Sequence, residues 1–324
     1  MRGFGVSGNM REVTVRAPAH LHAGNFDLAG DLGRLYGTVG FAIEDPSLEI
    51  VVREDEGISA EDEDARRFAE RFVEKHDIGG VEIEVKSPLP KYVGIGHHTT
   101  LALSIGKALS RLYGLSLSLE DIARVMRRGL ITALGLYACK AGGFIVEGGF
   151  KPEKMEEMVP PLLFRRKIPE DWCFVVAIPE KSRGRLTDLR EEEDEILKNL
   201  RSMSEDLSAE LSRLVLVGMM PSIIEEDVEG FGDSLTAFNS KLGSVWSDYQ
   251  EGTYCNDVVR DGIETMRNRS YCGCQSSWGP TFYGLVDSKR DAADLTEQMR
   301  VFLDDNGGGE VFYTKAQNEG LEVI

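Results

Sequence analysis

Apolar and polar residues alternate with a two-residue period over Glu12–Ala17, as they do along a strand with one buried face. The strand-like pattern continues through Ala19–Gly30, where His20, His22, Asn25 and Asp27 sit among apolar residues and glycine. Tyr36–Ile43 and Leu48–Val52 predict two further strands, joined by a turn at Glu44–Ser47 that holds Pro46. The period then lengthens: Glu61–His76 carries apolar residues three and four apart among charges and predicts an amphipathic helix. Val81–Val85 returns to alternation, so at least four strands precede Ser87.

Beyond that point Leu101, Ile105, Leu109 and Leu112 fall at helical spacing, and Gly114 supplies a stop. Ser118-Leu-Glu-Asp121 reads as a capping box that opens a helix over Ile122–Arg128. Gly129–Gly149 is too apolar for a surface linker and belongs inside the first domain, with a short buried strand predicted within Gly142–Gly149. Phe150–Asp171, with prolines at 152, 160, 161 and 169, is the candidate crossing between an N-terminal domain (1–170) and a C-terminal one (171–324). In the second domain Trp172–Ile178 is a continuous apolar strand, Pro179–Asp188 a basic polar loop, and Leu207–Met220, Phe231–Leu242, Val258–Asn268 and Asp291–Leu303 are helices. Tyr271–Leu285 reads as a loop rich in Gly, Cys and Ser running into a strand, and Glu310–Tyr313 as the last strand.

Length and charge narrow the functional classes. The chain has 324 residues, 42% hydrophobic and 28% charged, enough for two domains with real cores. A formal charge of −18 argues against a duplex nucleic-acid partner, which needs clustered Lys and Arg. Without a signal-peptide-like apolar stretch near Met1 or a long apolar run, no membrane association and a cytoplasmic location are expected. Cys139, Cys173, Cys255, Cys272 and Cys274 fit neither a disulfide framework nor a zinc site and read as reduced thiols. The acidic runs Glu54–Asp64 and Glu191–Glu195 read as solvated faces or loops.

The stretch with the strongest chemical character is Ser87–Ser110: prolines, then Gly94 and Gly96, then a helix. The first N–H groups of a helix lack intrahelical partners, and together with the helix dipole they favour an anion. Gly94, Gly96, His97, His98, Thr99 and Thr100 are therefore candidate phosphate-binding residues, against the alternative of a plain turn into a core helix. Ser182-Arg-Gly-Arg-Leu-Thr187 offers Arg183 and Arg185 as phosphate ligands or is a solvated loop.

Three glycine-centred segments, Ala17–Gly30, Pro88–Gly106 and Gly273–Gly284, resemble in order and spacing those of the GHMP kinase superfamily. Within it, Ala17-Pro-Ala-His-Leu-His-Ala-Gly-Asn-Phe-Asp-Leu-Ala-Gly30, Gly142-Gly-Phe-Ile-Val-Glu-Gly-Gly149 and Gln275-Ser-Ser-Trp-Gly-Pro-Thr281 are similar to motifs of the β-ribofuranosylaminobenzene 5'-phosphate synthase family. Two features depart from that family's pattern. The glycine loop reads Gly94-Ile-Gly-His-His-Thr-Thr100 where Gly-Leu-Gly-Ser-x-Thr-Gln is usual, and His20 stands where the family has Arg. Many kinases of the superfamily place a base-like Asp in the stretch that corresponds to Thr132-Ala-Leu-Gly135, and here that carboxylate is missing.

The resemblance implies an α+β fold in two lobes, an N-terminal domain like the second domain of ribosomal protein S5 and a C-terminal α/β sandwich, with the site between them. It implies a homodimer and a reaction of phosphoribosyl pyrophosphate with 4-aminobenzoate or 4-hydroxybenzoate that releases carbon dioxide and pyrophosphate, with Mg²⁺ and without ATP. Under this reading Asp27 is the candidate carboxylate for the ribosyl centre, with turn capping as its alternative. Trp278 is expected to stack on the benzoate ring, with Gln275, Ser276, Ser277 and Thr281 as donors in the same loop. His22, Asn25 and Arg34 are further candidates for substrate contact, and no metal ligands can be named. The alternatives are an ATP-dependent small-molecule kinase and a non-catalytic nucleotide-binding relative.

Overall fold

The computed structural model describes residues 11–155, 157–180, 203–247, 250 and 252–324. β1 (Glu12–Asp27) and β2 (Tyr36–Asp55) pair antiparallel along most of their length and form the spine of the first sheet. β3 (Ile58–Ala60) and β4 (Gly80–Ser87) extend the sheet on the far half of β2, while β5 (Phe144–Glu147) pairs with its near half and β6 (Leu162–Arg166) with β5. β7 (Cys173–Pro179), β8 (Cys274–Gln275), β9 (Phe282–Val286) and β10 (Gly309–Lys315) make the second sheet, in the order β10-β7-β9-β8. β11 (Glu322–Val323) returns to pair with β1.

The turn expected at Glu44–Ser47 is absent, and β2 runs through it. Residues 44–46 bulge instead, because Pro18 pairs with Ser47 and Ala19 with Ile43. Partners on both flanks keep the strand going, the bulge absorbs Pro46, and the Asp45 N–H donates to the Thr314 hydroxyl at 2.9 Å. The proline-rich stretch also holds a strand, β6, whose pairing with β5 the sequence pattern did not reveal.

α1 (Glu63–His76), α2 (His97–Leu112), α3 (Leu119–Met126) and α4 (Leu134–Ala141) cover the first sheet. Ser118 and Asp121 close the expected capping box at the start of α3. α4 lies in the glycine-rich apolar stretch where no helix was expected. α5 (Glu205–Glu225) is a longer helix than predicted, with a π-helical turn at Leu214–Met219. The wider turn makes room for Pro221, which in an α-helix clashes with the carbonyl four residues back. α5 is long and apolar enough by composition to cross a membrane. It buries Leu211, Val215, Met219 and Ile223 in the core, as an amphipathic core helix does. α6 (Val228–Gly243), α7 (Asp257–Arg267) and α8 (Lys289–Asp305) complete the second lobe.

One hydrophobic core joins the lobes. Phe41 of the first sheet packs 5.2 Å from Phe174 of the second, 5.9 Å from Phe231 of α6 and 6.1 Å from Tyr283 of β9, measured between ring centres. All five cysteines are buried and none forms a disulfide, and Cys272 and Cys274 belong to this core.

Candidate active site

Gly94 and Gly96 sit at φ of 85° and 86°, and Gly96 is the residue from which α2 springs. Both also approach other motifs too closely for a side chain. A Cβ on Gly94 would lie 2.6 Å from the Ser276 carbonyl oxygen, and one on Gly96 would fall 1.9 Å from the His20 ring. Hydrogen bonds tie the three glycine-centred segments together. The Ser276 hydroxyl accepts from the His22 N–H at 2.9 Å and donates to the Gly94 carbonyl at 2.7 Å, while the Ser277 N–H donates to the His22 carbonyl. Asn239 of α6 clamps the same region, donating to the Ala23 and Gln275 carbonyls and accepting from the Gln275 N–H, each at 3.0 Å. Gly94→Ala is expected to abolish turnover, because a left-handed φ and a backbone clash at one residue together cost several kcal/mol, roughly 2–4. Wild-type rates in a purified variant with an unchanged melting temperature would contradict this.

Between these segments lies a cleft of about 280 Å³. His22, Asn25, Gly94, Gly96, His98, Thr99, Ser277 and Trp278 of the expected residues line it, together with His20 and Thr132. Three residues the sequence reading missed are prominent. Arg127 and Arg128, at the end of α3, line the cleft, Arg128 with its guanidinium 5.8 Å over the Phe68 ring, and Trp246 meets Trp278 edge to face at 4.4 Å. The run Arg127-Arg128-Gly129 was the available signal: paired cations before a glycine, next to an apolar segment. A narrow recess of about 40 Å³ opens behind the tryptophan pair, lined among others by Gln275, Asn239 and Tyr254. Tyr36, Arg127 and Ser277, all on the cleft, hold positive φ without being glycine, the kind of backbone strain that collects at functional sites.

Other expected site residues do structural work. The Asp27 carboxylate accepts from the Ala29 and Gly30 N–H groups and from the Ser208 hydroxyl, and it lies outside the lining of both cleft and recess. Turn capping, the alternative raised for it, is what the structure shows. Arg34 spends its guanidinium on the Gly148 and Gly149 carbonyls, both at 2.7 Å. Thr100 is buried against the Pro18 carbonyl, and Ser276 and Thr281 are fully buried. Gln275 reaches the recess, yet its amide is committed to the Cys255 N–H and the Ser277 carbonyl. His97 turns away from the cleft toward Asp64. Arg183 and Arg185 lie outside the described residues. Lys91, Lys140 and Lys241 are paired with Asp62 and Asp64, Glu120, and Glu210. Asp27→Asn is therefore expected to keep kcat within about a factor of three of wild type, since no reacting atom is in reach. A hundredfold fall in kcat without loss of stability would restore Asp27 to the reaction.

The acidic run ending at Asp64 is only partly a solvated face. Asp62 and Asp64 turn inward to Lys91, and Asp64 also faces His98. Burial, aided by His22, pushes the His20 imidazole down to about 3, and burial pushes His22 to about 4, so both are neutral at pH 7. Burial and Lys91 lower His97 as well, opposed by Asp62, Asp64 and the Leu89 carbonyl. Gly135 stands where a kinase base would be sought, and a Cβ there would come within 2.9 Å of both His20 and Thr99. An aspartate at this position has no room. Among the described residues that line the cleft there is no carboxylate at all. That donor set does not fit a protein-held Mg²⁺ ion, which takes oxygen ligands and usually at least one carboxylate.

The fold is that of the GHMP kinases: residues 64–142 match the family model for the GHMP kinases N terminal domain. The homoserine kinase of Cytophaga hutchinsonii superimposes with a TM-score of 0.70 at 17% identity, covering 100% of both chains. At the level of sequence the chain is similar to two archaeal proteins called β-ribofuranosylphenol 5'-phosphate synthase. That of Archaeoglobus fulgidus is 30% identical over 95% of this chain and 98% of the relative, and that of Methanocaldococcus jannaschii is 28% identical over 95% and 99%. The chain belongs to the β-ribofuranosylphenol 5'-phosphate synthase family.

Proposed function

We propose that this protein is a pentosyltransferase that joins phosphoribosyl pyrophosphate to a 4-substituted benzoate. The ring carbon bearing the carboxylate bonds to the anomeric carbon as the bond to pyrophosphate breaks. The bond to the carboxylate then breaks, its electron pair restores the aromatic ring, and carbon dioxide leaves. No proton has to be abstracted and nothing is oxidised.

The observation that carries this reading is a cleft with two arginines, the N-terminus of a sixteen-residue helix and no carboxylate among its described lining. Such a cleft suits a polyanion, and its His20 and His22, pushed down to about 3 and about 4 by burial, are weak bases, in keeping with a reaction that abstracts no proton. Arg127, Arg128 and the first N–H groups of α2 take the phosphate oxygens and meet the charge that grows on departing pyrophosphate. Trp246 and Trp278 hold the benzoate ring at the mouth of the recess. The phenol in the relatives' name favours 4-hydroxybenzoate over 4-aminobenzoate as acceptor.

The test is a pair of incubations of purified protein, one with phosphoribosyl pyrophosphate and each benzoate, the other with ATP and a panel of small alcohols including homoserine. Carbon dioxide and pyrophosphate released in equal amounts without ATP are expected. ADP formation without decarboxylation would make the protein a kinase.

A further inference from the structure

The first turn of α1 and the first turn of α2 bring three ligand-type side chains together beside the cleft. Asp64, His97 and His98 each offer one ligand atom, and these atoms lie within 4.8 Å of one another. His98 Nε2 is 3.5 Å from Asp64 Oδ2, and the two imidazole rings meet edge to face with centres 5.0 Å apart. His97 is only 4% exposed, and although the Leu89 carbonyl lies near its ring, neither ring nitrogen makes a hydrogen bond of normal geometry. Leaving a polar group buried and unsatisfied costs about 1–3 kcal/mol, so such an imidazole next to a carboxylate calls for a partner.

We propose that Asp64, His97 and His98 form a binding site for a divalent transition-metal ion of the zinc class, with an open coordination position toward the cleft. Two imidazoles and one carboxylate are the donor set of Zn²⁺, Co²⁺ or Mn²⁺ and a poor one for Mg²⁺. Tetrahedral ligands at 2.0–2.2 Å from such an ion stand roughly 3.4 Å apart. The His98–Asp64 pair already has nearly that spacing, and the His97 ligand atom, within 4.8 Å of both, would move inward by roughly an ångström when an ion binds. His98 lines the cleft, which puts the open position where an anion would enter. Asp64 Oδ1 keeps Arg67 at 2.7 Å as its outer partner.

The competitor is Lys91. Its ammonium sits 3.1 Å from the same Asp64 oxygen and 2.7 Å from Asp62. A metal ion displaces it from Asp64 and leaves it on Asp62, so Lys91 sets the affinity of the site without being a ligand. This site stands independently of the reaction proposed above, because it is read out without substrate.

Cobalt titration of the full chain, followed by visible d–d absorption and calorimetry, tests it. One Co²⁺ per chain with a nitrogen- and oxygen-ligated spectrum is expected, displaced by Zn²⁺ and indifferent to Mg²⁺. His97→Gln and Asp64→Asn should each weaken binding by on the order of 100-fold. Lys91→Met should tighten it by about tenfold, since a charge that competes for Asp64 is gone. Circular dichroism of each variant checks the fold. If His97→Gln does not fold, Lys91→Met still decides, because it leaves all three ligands in place. No cobalt binding by the wild type, an unchanged spectrum in the ligand variants, weaker binding by Lys91→Met, or an intense sulfur-to-cobalt band would each overturn the site.

Discussion

Replacing Arg127 and Arg128 together by alanine is expected to raise KM for phosphoribosyl pyrophosphate by roughly 100-fold or more, because each charge-assisted hydrogen bond to phosphate contributes about 1.5–3 kcal/mol. KM for the benzoate should hardly move. Arg127 is exposed at the end of α3, so its loss leaves the core intact. Arg128 also lies 5.8 Å over the Phe68 ring, and its removal costs some packing, as a cation on an aromatic face contributes about 0.5–1 kcal/mol. The single Arg127→Ala change therefore separates binding from stability. Initial rates at varied concentrations of each substrate, with a melting curve for each variant, make the measurement. An unchanged KM in the double variant would move the phosphate site elsewhere on the protein.

The second large effect concerns stability and pH. Glu147 on β5 is fully buried, and burial pushes its carboxyl up to about 7, against hydrogen bonds from Thr38, the Gly149 N–H and the Ala133 N–H and the charge of Arg34. A carboxyl whose folded pKa lies above its unfolded value binds its proton more tightly in the native state. Its contribution to stability is full below the unfolded pKa of 4.5 and is lost as pH rises through about 7. The difference between those values corresponds to roughly 3 kcal/mol above neutrality. Glu147→Gln removes the ionisation; it keeps one of two acceptor oxygens and sets its NH2 against the Ala133 or Gly149 N–H, a cost that does not vary with pH. Relative to wild type it should gain roughly 3 kcal/mol between pH 4 and pH 8 in urea unfolding. His20 and His22 titrate in both proteins, so the difference between them isolates Glu147. Parallel stability profiles would show that Glu147 does not change protonation between the two states.

β4 and α1 were legible because one face of each is buried against a core and leaves a period in the sequence, and β7, buried on both faces, because it is a continuous apolar run. The elements that escaped have no such period. β6 presents Leu162 and Leu163 outward at the edge of its sheet, and α4 is apolar all round, so neither advertises itself. The continuity of β2 through Pro46 depends on partners far along the chain, which local pattern cannot report. The cleft was legible in the same measure. Glycines that touch backbone or ring, such as Gly94 and Gly96, mark it by the absence of a side chain. For Asp27 the sequence left two readings open, because a carboxylate beside glycines has the same appearance whether it holds a turn or faces a substrate, and its hydrogen bonds are those of a turn cap. Arg127 and Arg128 were missed because they close a helix whose own pattern explained them.

The aromatic contact of Phe41 with Phe174, Phe231 and Tyr283 has a thermodynamic consequence. Rings from both sheets and from α6 share one interior, so opening either lobe strips apolar surface from the other. The protein should therefore melt in a single calorimetric transition whose van't Hoff and calorimetric enthalpies agree. The shared packing also opposes a jaw-like opening of the lobes. Admission to the cleft is then expected to depend on side-chain and loop movement around Trp246 and Trp278 more than on a swing of one half against the other.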